Sequence, residues 1–303
     1  MATYHRGELT VQDRAGLAEQ ASFSLGGIGA VVPDVAAAFL AEQPMIVVGG
    51  ADAAGQIWST LLTGEPGFLS APDQQTLTID ARPLPGDPLA KLLGEQDAKV
   101  GMIAIEPATR RRMRINGTSR PTERGLRVTL DQVIANCPKY LQKRDFTLLP
   151  QYEWQAGTPQ GLTTELSTAQ QLAVTTADTF FVSTTSPAGD ADASHRGGNP
   201  GFVQVLSPTH LRWPDYIGNA MFLTLGNLEL HPEAGLVFPD WETGSMLQLT
   251  GTAQTNWDTD ERARIPGAQR LVDFYVTGVQ ETPNALPLRW SEPGYSRFNP
   301  PTV

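Results

Sequence analysis

Apolar and polar positions alternate in short runs along most of this chain. Met45–Val48, Gln56–Thr63, Phe68–Ser70, Thr76–Asp80, Val100–Glu106 and Arg111–Asn116 each read as a strand, with Ala53-Ala54-Gly55 and Pro72-Asp73-Gln74 as turns between them. The same texture returns at Thr179–Thr185, Gly201–Leu206, His210–Trp213, Gly235–Pro239 and Met246–Thr252. Helical periodicity is confined to brief stretches. These are the residues around position 17, Val35–Glu42 with Asp34 as N-cap, Pro88–Gly94, Asp131–Arg144 up to a break at Pro138, Leu166–Val174, and Met221–Leu230 before Pro232. The pattern predicts a mainly β chain with short helices.

One ungapped offset relates the two series. At 189 − 55 = 134, Gly55 falls on Gly189, Gly64 on Gly198, and Pro66-Gly67-Phe68 on Pro200-Gly201-Phe202; Leu77 falls on Leu211, Gly101 on Gly235, and Gly117-Thr118 on Gly251-Thr252. The spacing predicts two copies of one small β-domain, packed as a pseudo-two-fold pair in imitation of an isologous dimer. The expected divisions are a helical or extended segment 1–32, a first domain 33–149, a Gln/Gly/Pro-rich linker 150–162 and a second domain with a C-terminal tail, 163–303.

Composition narrows the partners. With 303 residues the chain buries a core without covalent staples, and its net charge of −10 argues against nucleic acid. The single cysteine, Cys137, excludes an intrachain disulfide, and His5, His210 and His231 show no metal-ligand spacing. No apolar run approaches the ~18 residues of a membrane span, and no basic-then-apolar leader opens the chain. A cytoplasmic protein without membrane association is expected.

Chemistry concentrates between Asp192 and Asn219. Ser194-His195-Arg196 precedes Gly197-Gly198 and a strand, and a second strand runs to Gly218-Asn219 before a helix. A guanidinium that forks onto oxygens, glycines that let backbone N–H groups approach, and a helix start together suit an anion. Elsewhere Arg110–Arg114 holds four arginines in five residues of an acidic chain. That cluster is either a charged strand edge or an anion contact. No Gly-rich Rossmann or P-loop motif is present.

These residues resemble the split-barrel flavin-binding family of pyridoxamine 5′-phosphate oxidase. The likeness lies in Phe180-Phe-Val-Ser-Thr-Thr, Ser194-His-Arg-Gly-Gly-Asn-Pro-Gly-Phe-Val, Tyr216-Ile-Gly-Asn, Gly226-Asn-Leu-Glu-Leu-His-Pro, Gly235-Leu-Val-Phe and Leu247-Gln-Leu-Thr-Gly-Thr-Ala. Tyr4-His-Arg-Gly-Glu-Leu-Thr-Val-Gln12 and Asn136-Cys-Pro-Lys-Tyr-Leu-Gln-Lys-Arg144 resemble larger, two-barrel members. The resemblance implies tandem split β-barrels forming an intrachain pseudo-dimer, with FMN at the barrel interface. It places Ser194, His195, Arg196, Gln204, Tyr216, Gly218 and Asn219 at the cofactor phosphate. Arg111 and Arg112 of the first barrel become the complementary arm, and Lys139 and Tyr140 candidates for the substrate wall.

At the repeat offset Ser194-His195-Arg196 fall on Thr60-Leu61-Leu62, and Arg111-Arg112 on Ser245-Met246. One competent site per chain is therefore expected, in the second barrel. Ala220, Met221 and Phe222 stand where the oxidase carries a Ser-Arg-Lys run, so the phosphate charge must be met by His195, Arg196 or the Arg111-Arg112 arm, or another cofactor such as a deazaflavin binds. No substrate-binding Arg/His tail matches, Arg289-Trp290 being a poor fit, which argues against the oxidase's own substrate. The resemblance implies an FMN-dependent oxidoreductase acting on a small molecule. Its electron donor would be a transiently bound nicotinamide nucleotide or a separate electron-transfer protein. A non-catalytic flavin-binding or sensing module and a haem-binding barrel are the alternatives, and a homodimer is left open.

Overall fold

The computed structural model describes residues 2–302. The chain opens with two helices, α1 (Arg6–Arg14) and α2 (Ala18–Leu25), and a short strand β1 (Ile28–Gly29). Helix α3 (Asp34–Ala41) then leads into β2 (Met45–Ala51), β3 (Ile57–Thr63), β4 (Leu69–Asp73), β5 (Thr76–Ile79), β6 (Ala98–Glu106), β7 (Arg111–Pro121) and β8 (Leu126–Ala135). These make one antiparallel sheet in the order β3-β2-β6-β7-β8-β5-β4, with β1 added on β8. After β9 (Phe146–Leu148) the plan repeats. Helix α4 (Thr168–Thr176) is followed by β10 (Thr179–Thr185), β11 (Ala191–Gly197), β12 (Gln204–Ser207), β13 (His210–Asp215), helix α5 (Leu223–Leu230), β14 (Glu233–Pro239), β15 (Met246–Asn256), helix α6 (Thr259–Ala263) and β16 (Arg270–Thr282). The second sheet runs β11-β10-β14-β15-β16-β13-β12, the same order strand for strand. A last strand β17 (Leu288–Trp290) pairs with β9. The architecture is mainly β, two tandem split barrels, each around its own apolar core.

The repeat holds to the residue. Strands β2 and β3 map onto β10 and β11 at offset 134 with identical bounds. The bulge at Asn116/Gly117 recurs at Thr250/Gly251. Gly55 and Gly189, at matching turns, take φ of 81° and 84°, a region open to glycine at little cost. The offset changes only at the last strand: Gln132 lies opposite Asn116 as Gly278 lies opposite Thr250, and 278 − 132 = 146, twelve more than 134. Barrel 2 therefore carries a twelve-residue insertion after β15, which contains α6.

The barrels meet face to face across a pseudo-two-fold axis. A Cβ on Gly101 would stand 2.5 Å from the backbone of Asp192, and one on the equivalent Gly235 would stand 2.6 Å from Trp58, the equivalent of Asp192. Gly49 and its own equivalent, Ser183, touch each other at the axis. A shared core of Met45, Val47, Leu61, Ile103, Phe181 and Val237 fills the seam. Because β10 is covered on both sides, all seven of its residues are buried, and its sequence reads as a continuous run rather than an alternation.

Two helical expectations fail. Residues 126–135 form strand β8, not the start of a helix, and their burial alternates strictly from Leu126 to Asp131. Pairing with both β7 and β1 outweighs the local helix propensity of Asp131-Gln-Val-Ile-Ala. Pro88–Gly94 yields only a 3-10 turn at Leu92–Gly94. Residues 150–162 contain no strand or regular helix. The segment before residue 32 bridges the barrels: α1 crosses α5 of barrel 2 where Gly7 meets Gly226, while β1 joins the barrel 1 sheet on β8. Among the described residues no helix is long and apolar enough to cross a membrane.

Candidate functional site

A cavity of about 310 Å³ opens at the barrel seam. Barrel 1 supplies Arg112 and Arg114 from β7 and the loop Asn136–Tyr140; barrel 2 supplies Ser194, His195 and Arg196 from β11. The loop from Asp215 to Phe222, then Gln269 and Arg270 at the start of β16, complete the barrel 2 wall, and Leu17 and Gln20 close the N-terminal side.

Strand alternation decides which arginines enter. On β7, Met113 and Ile115 point into the barrel 1 core, so Arg112 and Arg114 face the seam. Arg111 shares the face of Met113 and lies outside the cavity. Its Nε donates to Glu106 Oε2 at 2.7 Å, and its guanidinium sits over the Phe39 ring. The expectation that Arg111 faces the site is thus corrected: Arg111 lies outside the cavity, and Arg114 lines it instead. Gln204 also lies outside, at the start of β12 opposite Arg212. The remaining expected residues, Ser194, His195, Arg196, Tyr216, Gly218, Asn219, Arg112, Lys139 and Tyr140, all line the cavity, as does exposed Cys137.

The polar groups form one network across the seam. Arg112 Nε donates to Cys137 O at 2.9 Å and Nη2 to Lys139 O at 3.3 Å, pinning the loop, while Nη1 donates to His195 Nδ1 at 2.7 Å. Arg114 donates to Asp192 Oδ2 at 2.9 Å and to Ser194 Oγ at 2.7 Å. Arg196 Nη1 donates to Asp215 Oδ1 at 2.7 Å. Arg270, which the sequence reading missed, lies beside Asp215 and between the rings of Phe222 and Trp257, 4.7 and 5.5 Å from their centroids. It follows the barrel 2 insertion, where the 134 offset no longer holds.

Donors remain unspent around this space. His195 Nε2, Arg114 Nε, Arg196 Nε, and Nε and Nη1 of Arg270 are buried with no hydrogen-bond partner. Five cationic side chains line the cavity (Arg112, Arg114, Lys139, Arg196 and Arg270) against one carboxylate, Asp215. Burial, with the nearby Arg114 and Arg196, pushes the Arg112 guanidinium down to about 9. Burial lowers Arg196 too, against the pull of Asp215. His195 is held well below the ordinary imidazole value, by burial first and then by Arg112 and Arg196. Such mutual depression marks a cation cluster whose counter-charge the chain supplies only in part, through Asp192 and Asp215, and an anionic ligand would relieve it.

The far wall is aromatic and strained. Tyr140 and Tyr216 pack with ring centroids 5.0 Å apart, and Tyr140 Oη donates to Ile217 O at 3.1 Å. Burial, with a contribution from Tyr140, drives the Tyr216 hydroxyl up to about 12. Ala220 and Phe222 both adopt left-handed backbone conformations, with φ of 60° and 58°, a cost of about 1–3 kcal/mol each that structures tolerate mainly at functional sites. Asn219 braces the loop: its Oδ1 accepts from Met221 N, and its O from Ser24 Oγ on α2.

At the pseudo-symmetric position the space is filled. Leu61, Leu62 and Met246, the equivalents of His195, Arg196 and Arg112, are at most 5% exposed. The Thr60 hydroxyl donates to Asp87, and Gln248, the equivalent of Arg114, donates to Ser59 O and Asp87.

Comparison with known proteins follows this division. The family model described as pyridoxamine 5′-phosphate oxidase matches residues 166–289. No curated protein matches the chain. Similar solved structures include a Lactobacillus delbrueckii protein proposed to be a pyridoxamine 5′-phosphate oxidase. It is 18% identical, with 39% of this chain and 94% of that one covered and a TM-score of 0.33. HupZ of Group A Streptococcus is 12% identical, with 38% and 92% covered and a TM-score of 0.31. A protein of Mesorhizobium loti described as FAD-binding is 12% identical, with 41% and 99% covered and a TM-score of 0.28. The matched segment is barrel 2, the barrel that contributes the Ser194-His195-Arg196 strand. Residues 166–289, which make up most of barrel 2, are thus similar to the pyridoxamine 5′-phosphate oxidase family.

Proposed function

We propose that the seam cavity binds FMN and that the chain is an FMN-dependent oxidoreductase acting on a small molecule. The observation that carries this reading is the ring of buried, unpartnered donors on His195, Arg114, Arg196 and Arg270 around a space lined by five cations and one acid. Arg114, Arg196 and Arg270 would hold the phosphate, with Ser194 and the Gly218-Asn219 loop beside them. Arg112 and His195 would face the ring system. When bound, the flavin supplies the hydride or electron chemistry.

The chain's own residues prepare the cavity. Arg112 fixes the His195 ring, and a guanidinium can only donate, so neutral His195 presents an Nε2–H donor. Arg112 and that donor are placed to stabilise negative charge on a ligand. Tyr140 and Tyr216 exclude water from one side, and no side-chain base is required. A deazaflavin with its phosphate would use the same donors. Haem is disfavoured by the same tautomer, since a protonated Nε2 has no lone pair for iron. The electron donor in this reading is a transient nicotinamide nucleotide or a separate protein.

The test is the visible spectrum of the purified full chain, with mass identification of any released cofactor. A colourless protein that takes up no added FMN overturns the reading. Anaerobic mixing with NADH and NADPH then separates turnover from storage. Bleaching of the flavin supports an oxidoreductase, whereas no bleaching with any donor favours a binding or sensing module.

A further inference from the structure

A second cavity, of about 550 Å³, lies at the mouth of barrel 2, between α4, the β14–β15 turn and the segment after β17. The repeat shows why it is open. Offset 134 carries Phe39, Glu42, Glu106 and Arg111 of barrel 1 onto Ala173, Thr176, Asp240 and Ser245. In barrel 1 those four side chains form a stopper. The Arg111 guanidinium covers the Phe39 ring at 5.2 Å, pairs with Glu106 at 2.7 Å and reaches Glu42 at 3.5 Å. In barrel 2 shorter residues stand in their place, and Ala173 is exposed where Phe39 is buried.

The opened space is chemically distinct from the seam cavity. Its floor is the buried pair Arg144–Asp178, at 2.8 Å, with Arg144 Nε and Asp178 Oδ1 unpartnered. Trp241 and Trp290 meet edge to face, with centroids 5.2 Å apart and planes at 77°, and the Trp290 indole N–H also lacks an acceptor. Asp240, Glu242, Glu281 and Glu292 stand at the walls and rim. Counting Asp178, five carboxylates surround one guanidinium.

We propose that this cavity binds a small organic amine that also carries one hydrogen-bond acceptor. The ammonium is attracted by the rim carboxylates, donates to Asp178 Oδ1 and packs on an indole face, where a desolvated cation–π contact forms. The acceptor takes the spare N–H of Arg144 or Trp290.

The experiment is calorimetric titration of the full chain with tyramine, and with citrate as an anion of similar size. Saturable binding of tyramine without binding of citrate is expected. Rebuilding the barrel 1 stopper, with Ala173→Phe and Ser245→Arg together, should weaken tyramine by about tenfold or more, the scale of losing one such contact, with the unfolding midpoint unchanged. Should the double variant misfold, Ala173→Phe alone, at an exposed helix position, carries the same expectation. Absence of tyramine binding, binding of citrate instead, or undiminished tyramine binding in the stoppered variant overturns the proposal.

Discussion

Arg112 Nη1 donates to His195 Nδ1 at 2.7 Å across the seam, so a strand of one barrel sets the tautomer of a residue on the other. His195 Nε2 then carries the proton and has no acceptor in the chain. The bond exists only because β7 and β11 approach each other at the pseudo-two-fold interface. The equivalent pair, Met246 and Leu61, makes an apolar contact surface instead.

This bond has a pH consequence. Burial, Arg112 and Arg196 all lower the His195 proton affinity in the fold. The unfolded chain binds a proton at this residue below the ordinary imidazole value and the folded chain does not. Stability should therefore fall as pH drops below that value, and be unaffected by His195 above it. Nitrogen-15 imidazole spectra of the full chain should show the Nε2–H tautomer persisting through the ordinary histidine range. Arg112→Ala should move the midpoint upward, though not fully, because burial remains the larger cause. An ordinary midpoint in the unsubstituted protein would contradict this account.

The site discriminates between arginines only three positions apart, Arg111 and Arg114. Arg196→Ala and Arg114→Ala each remove a buried charged donor, worth about 1.5–3 kcal/mol, so flavin affinity should fall by roughly ten- to a hundredfold. Arg111→Gln, outside the cavity, and Leu62→Met, at the filled pseudo-site, should retain the flavin content of the unsubstituted chain. Cofactor stoichiometry after gel filtration reads out all four. Equal loss in Arg196→Ala and Leu62→Met would refute a single site per chain.

Much of this arrangement was legible from one offset. The glycines at 55 and 189 and the Pro-Gly-Phe triplets report a backbone that must turn in the same way twice. The loss of charge at Leu61-Leu62 and Met246 was legible as well, and it is what points to barrel 2 as the half with a polar cavity. The choice between Arg111 and Arg114 was not legible, because it depends on which face of β7 meets the seam. Arg270 was hidden by the twelve-residue insertion that breaks the offset. Strand β8 was misread because Asp131–Ala135 has helix-forming composition, and only its two neighbouring strands fix it as β-structure.

The seam itself is testable through its glycines. Gly101 abuts the Asp192 backbone and Gly235 that of Ile57 and Trp58, all atoms that cannot move aside cheaply. Gly101→Ala and Gly235→Ala should each destabilise by about 1–3 kcal/mol, the usual cost of overpacking, measured as a lower urea midpoint. Gly161→Ala, where an added Cβ meets nothing within 4 Å, should leave the midpoint near its original value. If the two seam variants are as stable as Gly161→Ala, the barrels do not pair as described.

The last prediction concerns Glu8, where α1 meets α5. Its carboxylate accepts from His5 N at 2.7 Å, yet the side chain is buried beside Gly226 and feels the charge of Asp192. Burial dominates and pushes the carboxyl up to about 7 from 4.5. Between those values the folded chain holds a proton that the unfolded chain has released, so stability is present at low pH and lost as pH rises through about 7. At ~1.4 kcal/mol per pH unit of displacement, ionised Glu8 costs the fold about 3 kcal/mol. The direction is opposite to that of His195, so the two effects separate in a pH series of urea unfolding curves. Glu8→Gln, which keeps the shape and an oxygen for His5 N, should remove the decline with rising pH and exceed the unsubstituted chain in stability above pH 7. Parallel pH profiles for the two proteins would show that Glu8 ionises in the fold as freely as in water, and that α1 is not buried against α5 in solution.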